Sequence, residues 1–316
     1  MGEMTYRPLG RCGTKVSTLS LGGWTTFGGS ITDEALTREI LHTAFDQGVN
    51  FFDIADVYAR GAAETIMGKA LAELPRRHLV ISSKCFWPMS DDINDRGLSR
   101  KHVFESVHDS LARIGTDYLD ILFCHRYDEE TPLEETVRAM GDLMRQGKIL
   151  YWGTSEWTGD QIRAAHEIAD PGYGPQVEQP QYSLLVRDKV EGDVAPAAEE
   201  TGMGLVVWSP LASGVLTGKY DDGVPEDSRL SRIDWLREQL LTDENLAKVR
   251  ALKELADGAG CSRTQLALAW AAAQRGISSV ILGATSLGQL DENLGALDVT
   301  IDDSLAQALG ELFPKA

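Results

Sequence analysis

Four side chains of complementary acid–base character stand at the ends of apolar runs or just beyond them. Asp53, Lys84 and His125 are each the last polar residue of such a run, and a tyrosine, Tyr58, follows the first run closely. An ammonium beside a phenol stabilises the phenolate and lowers the pKa of the phenol from its ordinary value of about 10. A carboxylate holds the ammonium, and a histidine can hydrogen-bond a carbonyl oxygen. The set predicts proton donation to an oxygen that gains negative charge, as when hydride from a nicotinamide reduces a carbonyl.

Each of the four residues also has a purely structural interpretation. Asp53 is about equally suited to cap the segment that follows it. Lys84 would then be a solvated charge, His125 a core histidine with satisfied hydrogen bonds, and Tyr58 a surface phenol. Because all four lie at successive strand ends in one order, we favour the chemical interpretation of the set.

Eight short runs rich in β-branched and aromatic residues alternate with amphipathic helical patterns, as expected for strands covered on both faces. The runs are 17–24, 49–55, 78–85, 118–125, 149–155, 175–183, 204–210 and 278–284. This alternation predicts the α/β class and a closed (β/α)8 TIM barrel, a single domain over 1–316. An open doubly wound sheet is the alternative, but the glycine-rich stretch 21–29 lacks the G-x-G-x-x-G spacing. In a barrel the C-terminal strand ends converge, so the four side chains are expected to meet.

Two segments lie outside this alternation. Residues 5–18 predict a small hairpin before the barrel, and residues 211–241 predict a long irregular loop after the seventh strand, of the kind that forms lids or binding segments. Two helix starts are also predicted from capping chemistry, one at Thr131 and one at Ser262, each followed three positions later by an acid or amide.

The overall charge narrows the classes of partner. The chain of 316 residues has a net charge of −18, which argues against nucleic acid or an anionic membrane as the main partner. Four scattered cysteines predict neither a zinc site nor a disulfide framework, and reduced thiols in a cytoplasm are the simpler interpretation. The N-terminus lacks the apolar core of a secretory signal, and no run is long enough to span a membrane. A metal-dependent barrel hydrolase is disfavoured because the first run carries no H-x-H.

The motifs around the four residues resemble the aldo-keto reductase family over nearly the whole chain. Residues 48–68 resemble its Asp–Tyr signature, 81–85 its lysine strand and 118–126 its histidine strand. Longer motifs are similar to the β subunits of voltage-gated potassium channels and their bacterial relatives. These motifs are 26–34, 96–103, 131–140, 151–157, 208–220 and 278–286. The resemblance implies a (β/α)8 barrel, a nicotinamide cofactor and a catalytic tetrad of Asp53, Tyr58, Lys84 and His125.

Two departures from the channel-type relatives are informative. His125 stands where many channel β subunits carry asparagine, which favours turnover over slow regulatory chemistry. Glu156 stands where those relatives carry arginine. Contacts that the arginine makes in those relatives are therefore not expected in this chain, whereas the expected fold is unaffected. The alternative function is a cofactor-binding regulatory or redox-sensing protein with little turnover. Because relatives assemble as tetramers or larger rings, the resemblance also implies a homo-oligomer.

The resemblance further implies the cofactor site. It places the nicotinamide amide near Ser155 and Gln179, the pyrophosphate along 208–213, and the adenosine end at 283–295. The full set is Gly23, Trp24, Asp53, Ser155, Gln179, Tyr182, Trp208, Ser209, Pro210, Leu211, Ser213, Lys219, Arg229, Gly283, Thr285, Gln289, Glu292 and Asn293. Tyr182 is the residue expected to stack on the nicotinamide ring.

The identity of the dinucleotide depends on its 2′-phosphate. Gln289 stands where many reductases carry a basic residue that clamps this phosphate, and Lys219 and Arg229 are expected to substitute, so the cofactor is predicted to be NADPH. The alternatives are a capping box formed by Ser286 and Gln289, and solvated loop charges at the two basic residues.

The predicted substrate pocket is aromatic. Its residues are Trp24, Tyr58, Phe86, Trp87 and His125, with Trp157 as a further candidate. Such a wall suits small aromatic or aliphatic aldehydes, although some of these rings have packing as their alternative role. The sequence therefore predicts NADPH-dependent reduction of aldehydes, with ketones as a further class, and Tyr58 as the proton donor.

Overall fold

A computed structural model describes residues 2–226 and 228–315 of the chain. A short antiparallel hairpin, β1 (Tyr6–Pro8) and β2 (Lys15–Ser17), precedes eight parallel strands that close into a barrel. The barrel strands are β3 (Leu19–Gly22), β4 (Phe51–Asp53), β5 (Val80–Cys85), β6 (Leu119–Cys124), β7 (Ile149–Ser155), β8 (Val177–Gln179), β9 (Gly204–Val207) and β10 (Ile277–Leu282). They follow one another in chain order around the barrel, and β10 closes it against β3. The predicted (β/α)8 barrel and its hairpin are confirmed.

Helices cover the outside of the barrel. Within the described residues they are α1 (Glu34–Asp46), α2 (Ala62–Leu71), α3 (Arg100–Ile114), α4 (Leu133–Arg145), α5 (Gly159–Ile168), α6 (Ala195–Thr201), α7 (Arg229–Arg232), α8 (Asp234–Leu240), α9 (Asp243–Gly258), α10 (Arg263–Ala273), α11 (Leu287–Leu294) and α12 (Asp303–Leu312). None of them is both long and apolar enough to cross a membrane.

The two-residue period of the strands decides which side chains enter the barrel. An inner cluster of apolar side chains fills its lower part, and two hairpin residues, Leu9 and Val16, join that cluster. Phe51 and Val80 belong to the same cluster at the starts of β4 and β5. Burying one such phenylalanine contributes about 1.5–3 kcal/mol. The hairpin therefore closes the N-terminal end of the barrel, and inward residues further along each strand lie towards the opposite end.

The predicted helix starts differ in outcome. Ser262 and Gln265 form both hydrogen bonds of a capping box at the start of α10, as predicted. The prediction for Thr131 is wrong, because α4 begins at Leu133 without a side-chain cap. The Thr131 hydroxyl instead donates to Asp128 Oδ2 at 2.7 Å, so the loop carboxylate has captured the group that would have capped the helix.

The segment 211–241 is only partly irregular. It contains a 3₁₀ turn at Ala212–Thr217 and the short helices α7 and α8. Leu230, Leu236 and Leu240 are fully buried and fasten the two helices to the body of the protein. The segment is therefore a packed cover beside the C-terminal end of the barrel.

Candidate active site

The Lys84 ammonium lies at the centre of the predicted tetrad. Its Nζ donates to Asp53 Oδ2 at 2.5 Å, to the Ile54 carbonyl at 2.7 Å and to Tyr58 Oη at 3.1 Å. The side chain is fully buried, so the three donors of the ammonium are matched by three acceptors. The period of two explains the placement, because Lys84 lies four residues after inward-facing Val80 on β5.

Asp53 is held by side chains from two other strands. Besides the ion pair with Lys84, its Oδ1 accepts hydrogen bonds from Ser82 Oγ at 2.7 Å and from Gln179 Nε2 at 2.9 Å. Asp53 lies at the end of β4, Ser82 on β5 and Gln179 at the end of β8. These donors offset the desolvation of the carboxylate and fix its orientation towards the lysine.

Tyr58 reaches the tetrad from a tight turn rather than from a strand. The two residues after it, Ala59 and Arg60, have positive φ values of 49° and 51°. Such backbone costs of order 1–3 kcal/mol per residue and persists only where the surroundings enforce it. The Tyr58 ring meets the His125 ring edge-on at 5.8 Å between centroids, and His125 meets Trp87 in the same way at 6.3 Å. The tetrad thus continues into a row of aromatic rings.

Burial dominates the protonation equilibria of the tetrad. It raises the pKa of Tyr58 well above the ordinary value, and the Asp53 charge raises it further. It lowers the pKa of Lys84, which the Asp53 charge opposes. It lowers the pKa of His125 well below the ordinary value, with the Lys84 charge acting in the same direction. The predicted net lowering of the tyrosine pKa is therefore wrong in direction, and at neutral pH Tyr58 is a protonated phenol beside a neutral imidazole.

A cavity of about 1150 Å³ opens beside the tetrad at the C-terminal end of the barrel. It is lined by three tetrad members, Asp53, Tyr58 and His125, while Lys84 lies behind them. All predicted cofactor residues line this cavity except Gly23 and Tyr182. The substrate residues Trp24 and Trp87 line it as well. The structure therefore brings most of the predicted site residues to one space.

Two predicted cofactor residues lie outside the cavity. Tyr182 is 1% exposed, its hydroxyl donates to Glu191 Oε1 at 2.7 Å, and its ring packs on Trp270 at 5.2 Å. Tyr182 cannot stack on a ring in the cavity, because its hydrogen bond to Glu191 and its contact with Trp270 hold its side chain outside the cavity. Gly23 donates its N–H to the Asp53 carbonyl, and a Cβ on it would lie 2.8 Å from the Met67 sulfur. Gly23 thus faces the packed side of the strand end.

Two predicted substrate rings also serve packing instead. Phe86 lies behind the cavity wall, with its ring edge-on to Trp87 at a centroid distance of 5.0 Å. Trp157 is fully buried and packs edge-on against Tyr127 at 4.8 Å. Neither ring lines the cavity.

Several residues that line the cavity were not predicted from the sequence, and three of them have charged or large aromatic side chains. These three are Arg126, Arg232 and Trp235. Arg126 had a sequence signal, because it directly follows His125 at a strand end. Arg232 and Trp235 belong to the short helices α7 and α8, where the sequence predicted only an irregular loop. Trp235 is 57% exposed and lies at the rim.

Comparison with known proteins agrees with this geometry. The profile described as "Aldo/keto reductase family" matches residues 18–312. The chain belongs to the aldo/keto reductase family. It is 50% identical over 303 residues to a probable voltage-gated potassium channel subunit beta of Arabidopsis thaliana, with 94% of this chain and 92% of that protein covered. It is 48% identical to a probable subunit beta of Oryza sativa subsp. japonica (94% and 92% covered) and 45% identical to a putative one of Schizosaccharomyces pombe (94% and 89% covered).

Aldo/keto reductases are oxidoreductases that generally use a nicotinamide cofactor, and the cavity of this family member fits such a dinucleotide. Its lining includes the cations Arg126, Lys219, Arg229 and Arg232 within a chain of net charge −18. Among the described residues, the buried hydroxyl of Ser213 lacks a hydrogen-bond partner. A Cβ built on Gly283, which also lines the cavity, would meet no atom closer than 4.0 Å. Positive charge, a donor and open backbone together suit a phosphorylated ligand.

Glu156 orients the ring of Trp208, which lines the cavity. Its Oε1 accepts hydrogen bonds from Trp208 Nε1 at 3.0 Å and from the Gln181 N–H at 2.6 Å, and its Oε2 accepts from Lys189 at 2.8 Å. Trp208 in turn meets Trp24 edge-on at 5.4 Å. The residue that departs from the channel-type pattern therefore anchors a wall of the cavity.

Proposed function

We propose that this protein reduces aldehydes, and ketones as a second class, to alcohols with NADPH, using Tyr58 as the proton donor. The observation that carries the proposal is the buried Lys84 ammonium, which donates to both Tyr58 Oη and Asp53 beside the cavity. When bound, NADPH supplies the hydride that the carbonyl carbon receives. A small carbonyl compound is the substrate, and we expect the protein to act in the cytoplasm as a homo-oligomer.

The proton comes from a phenol that holds it firmly. The raised pKa of Tyr58 keeps it protonated until a neighbouring oxygen gains negative charge. Lys84 Nζ lies 3.1 Å from Tyr58 Oη. Its positive charge stabilises the phenolate that forms as the proton leaves, so the charge acts on the transition state more than on the resting phenol. The neutral imidazole of His125 orients the carbonyl oxygen from the other side, because its lowered pKa keeps it uncharged.

The cofactor would lie across the strand ends. Ser155 and Gln179, which are joined by a hydrogen bond of 2.8 Å, would hold the nicotinamide amide, and Trp208 would cover its ring in the place predicted for Tyr182. Lys219 and Arg229 would bind the phosphates. Their charges favour NADPH over NADH, because the additional phosphate of NADPH is attracted most strongly by cations in a partly buried site.

A regulatory function is the second candidate. The relatives are named as channel β subunits, which favours a cofactor-binding protein that associates with a partner. His125, placed beside Tyr58 at the cavity, favours turnover instead.

The test is a turnover assay with matched tyrosine variants. The purified protein is mixed with NADPH and 4-nitrobenzaldehyde, and absorbance is followed at about 340 nm, where the reduced nicotinamide absorbs. Tyr58→Phe should lose orders of magnitude in kcat while its NADPH affinity, measured by fluorescence titration, stays close to that of the wild type. Tyr6→Phe, which changes an exposed phenol on the hairpin, is the control. Tight NADPH binding without turnover would favour the regulatory candidate.

A further inference from the structure

A guanidinium enters the cavity at the tetrad end. Arg126 follows His125 directly, lines the cavity and is half-buried. Its Nη1 donates to the His125 carbonyl at 2.5 Å, and its guanidinium carbon lies 5.6 Å from the centroid of the Trp87 ring. Within 2–226 and 228–315, no carboxylate forms an ion pair with it. A guanidinium has five N–H donors, and within the described residues the one hydrogen bond of this guanidinium is made by Nη1, so donors remain for a ligand in the cavity.

The position of Arg126 separates it from the other cations of the cavity. β6 is four strands from β10 in either direction around the barrel, so the two strands face each other across it. The cavity residues that follow β10, from Gly283 to Asn293, therefore lie across the barrel from Arg126. Lys219, Arg229 and Arg232 come from the segment that follows β9, the neighbour of β10. Arg126 thus follows the strand opposite β10, while Lys219 and Arg229 follow β9, the neighbour of β10.

The row of rings formed by Tyr58, His125 and Trp87 connects Arg126 to the reacting end of the cavity. His125 lies between Tyr58 and Trp87, and Arg126 lies beside Trp87. The charge of Arg126 also lowers the pKa of Tyr58, and it does so more than the charge of Arg229. A flat molecule whose carbonyl oxygen meets Tyr58 and His125 can extend along Trp87 towards the guanidinium. Its far end would then lie beside a half-buried cation that forms no ion pair with the part of the chain that the structure describes.

We propose that Arg126 binds a carboxylate carried by the substrate, so that aldehydes with a second, anionic end are the preferred substrate class. The inference rests on the proposed reductase function. A guanidinium matches a carboxylate through two parallel N–H···O bonds, which give orientation as well as affinity. Binding at the far end would fix the carbonyl carbon in the position that hydride transfer requires.

The experiment compares two substrates of the same shape. 4-Carboxybenzaldehyde and 4-nitrobenzaldehyde have flat, electron-withdrawing groups at the same place, and only the first is charged. The measured quantity is the ratio of their kcat/KM values in the wild type, Arg126→Met and Arg126→Lys. Arg275→Met is the control, because Arg275 is exposed and pairs with Glu199 on the surface.

The ratio should fall by about 10- to 100-fold in Arg126→Met, the range of a lost hydrogen bond to a charged group. Arg126→Lys should be intermediate because a point charge remains without the fork. The control should keep the wild-type ratio. Because the ratio compares two substrates of one variant, a general loss of structure does not change it. An unchanged ratio in Arg126→Met would overturn the inference.

The design separates this inference from the proposed function. If the wild type reduces 4-nitrobenzaldehyde through Tyr58 but shows no dependence of the ratio on Arg126, only the anion site is refuted. If the wild type turns over neither aldehyde, the proposed function fails, and the site is tested by calorimetric binding of 4-carboxybenzoate to the NADPH complex. That binding should weaken by about 10-fold or more in Arg126→Met, and equal binding would refute the site by itself.

Discussion

Replacing Lys84 by methionine tests the central contact of the proposed active site. The change keeps a long flexible side chain but removes the ammonium that donates to Asp53, Ile54 and Tyr58. Methionine fits the same volume with little strain. The variant thus isolates the charge and its hydrogen bonds.

The size of the effect follows from burial. Lys84 is 0% and Asp53 3% exposed, so the removal leaves a carboxylate buried without its cation. Breaking such a pair costs about 3–5 kcal/mol of folding free energy. The hydrogen bonds from Ser82 and Gln179 remain, which places the expected loss near the lower end, at about 3 kcal/mol. Loss of one preorganised positive donor should lower kcat by about 10²–10³-fold.

The assay pairs urea unfolding, followed by tryptophan fluorescence, with the rate of NADPH oxidation. The double variant Asp53→Asn/Lys84→Met removes both charges, so it should be more stable than Lys84→Met yet remain slow. Lys101→Met, which breaks an exposed pair with Glu105, should change stability by about 0.3–0.5 kcal/mol only. The reasoning fails if Lys84→Met keeps kcat within a few-fold of the wild type, or if the double variant is no more stable than the single one.

Three further predictions each concern one residue, namely Glu156, His125 and Glu178. In Glu156→Gln, Trp208 Nε1 would donate to an amide oxygen in place of a carboxylate. The variant should therefore bind NADPH several-fold more weakly and show a shifted tryptophan emission. Unchanged emission would contradict this prediction. The pKa of His125 is lower in the folded than in the unfolded protein. As the pH drops below about 6.5 the unfolded chain therefore gains a proton first, and the free energy of unfolding falls. His125→Asn should make that fall shallower in unfolding curves measured at pH 5–7. Burial raises the pKa of Glu178 to about 8, so the folded protein keeps this proton longer and stability falls as the pH rises from about 4.5 to 8. Glu178→Gln should flatten the decline, and an equal slope in both proteins would exclude the assignment.

Local patterns predicted most of the framework. The two-residue period places Phe51 and Asp53 on the same side of β4, and Val80 and Lys84 on the same side of β5. Once the strands are parallel and closed, this period alone brings the acid and the lysine to one end of the barrel. The capping chemistry at Ser262 was equally local, and it was predicted correctly.

Competition between nearby side-chain partners, and packing against the rest of the chain, decided what the sequence could not predict. Tyr182 turns away from the cavity because Glu191 accepts its hydroxyl, and Thr131 fails to cap α4 because Asp128 accepts its hydroxyl first. The short helices α7 and α8 depend on leucines that are buried against the rest of the chain. Each outcome depends on which partner the folded chain places nearby.

The sequence by itself determined the barrel, the tetrad residues and their common face, because strand period and chain order are properties of neighbouring residues. Only the tertiary structure decided the protonation of Tyr58 and the side of the cavity on which Arg126 lies. Desolvation depends on everything that surrounds a group, and burial raises the pKa of Tyr58 although the sequence pattern had brought a lysine beside it.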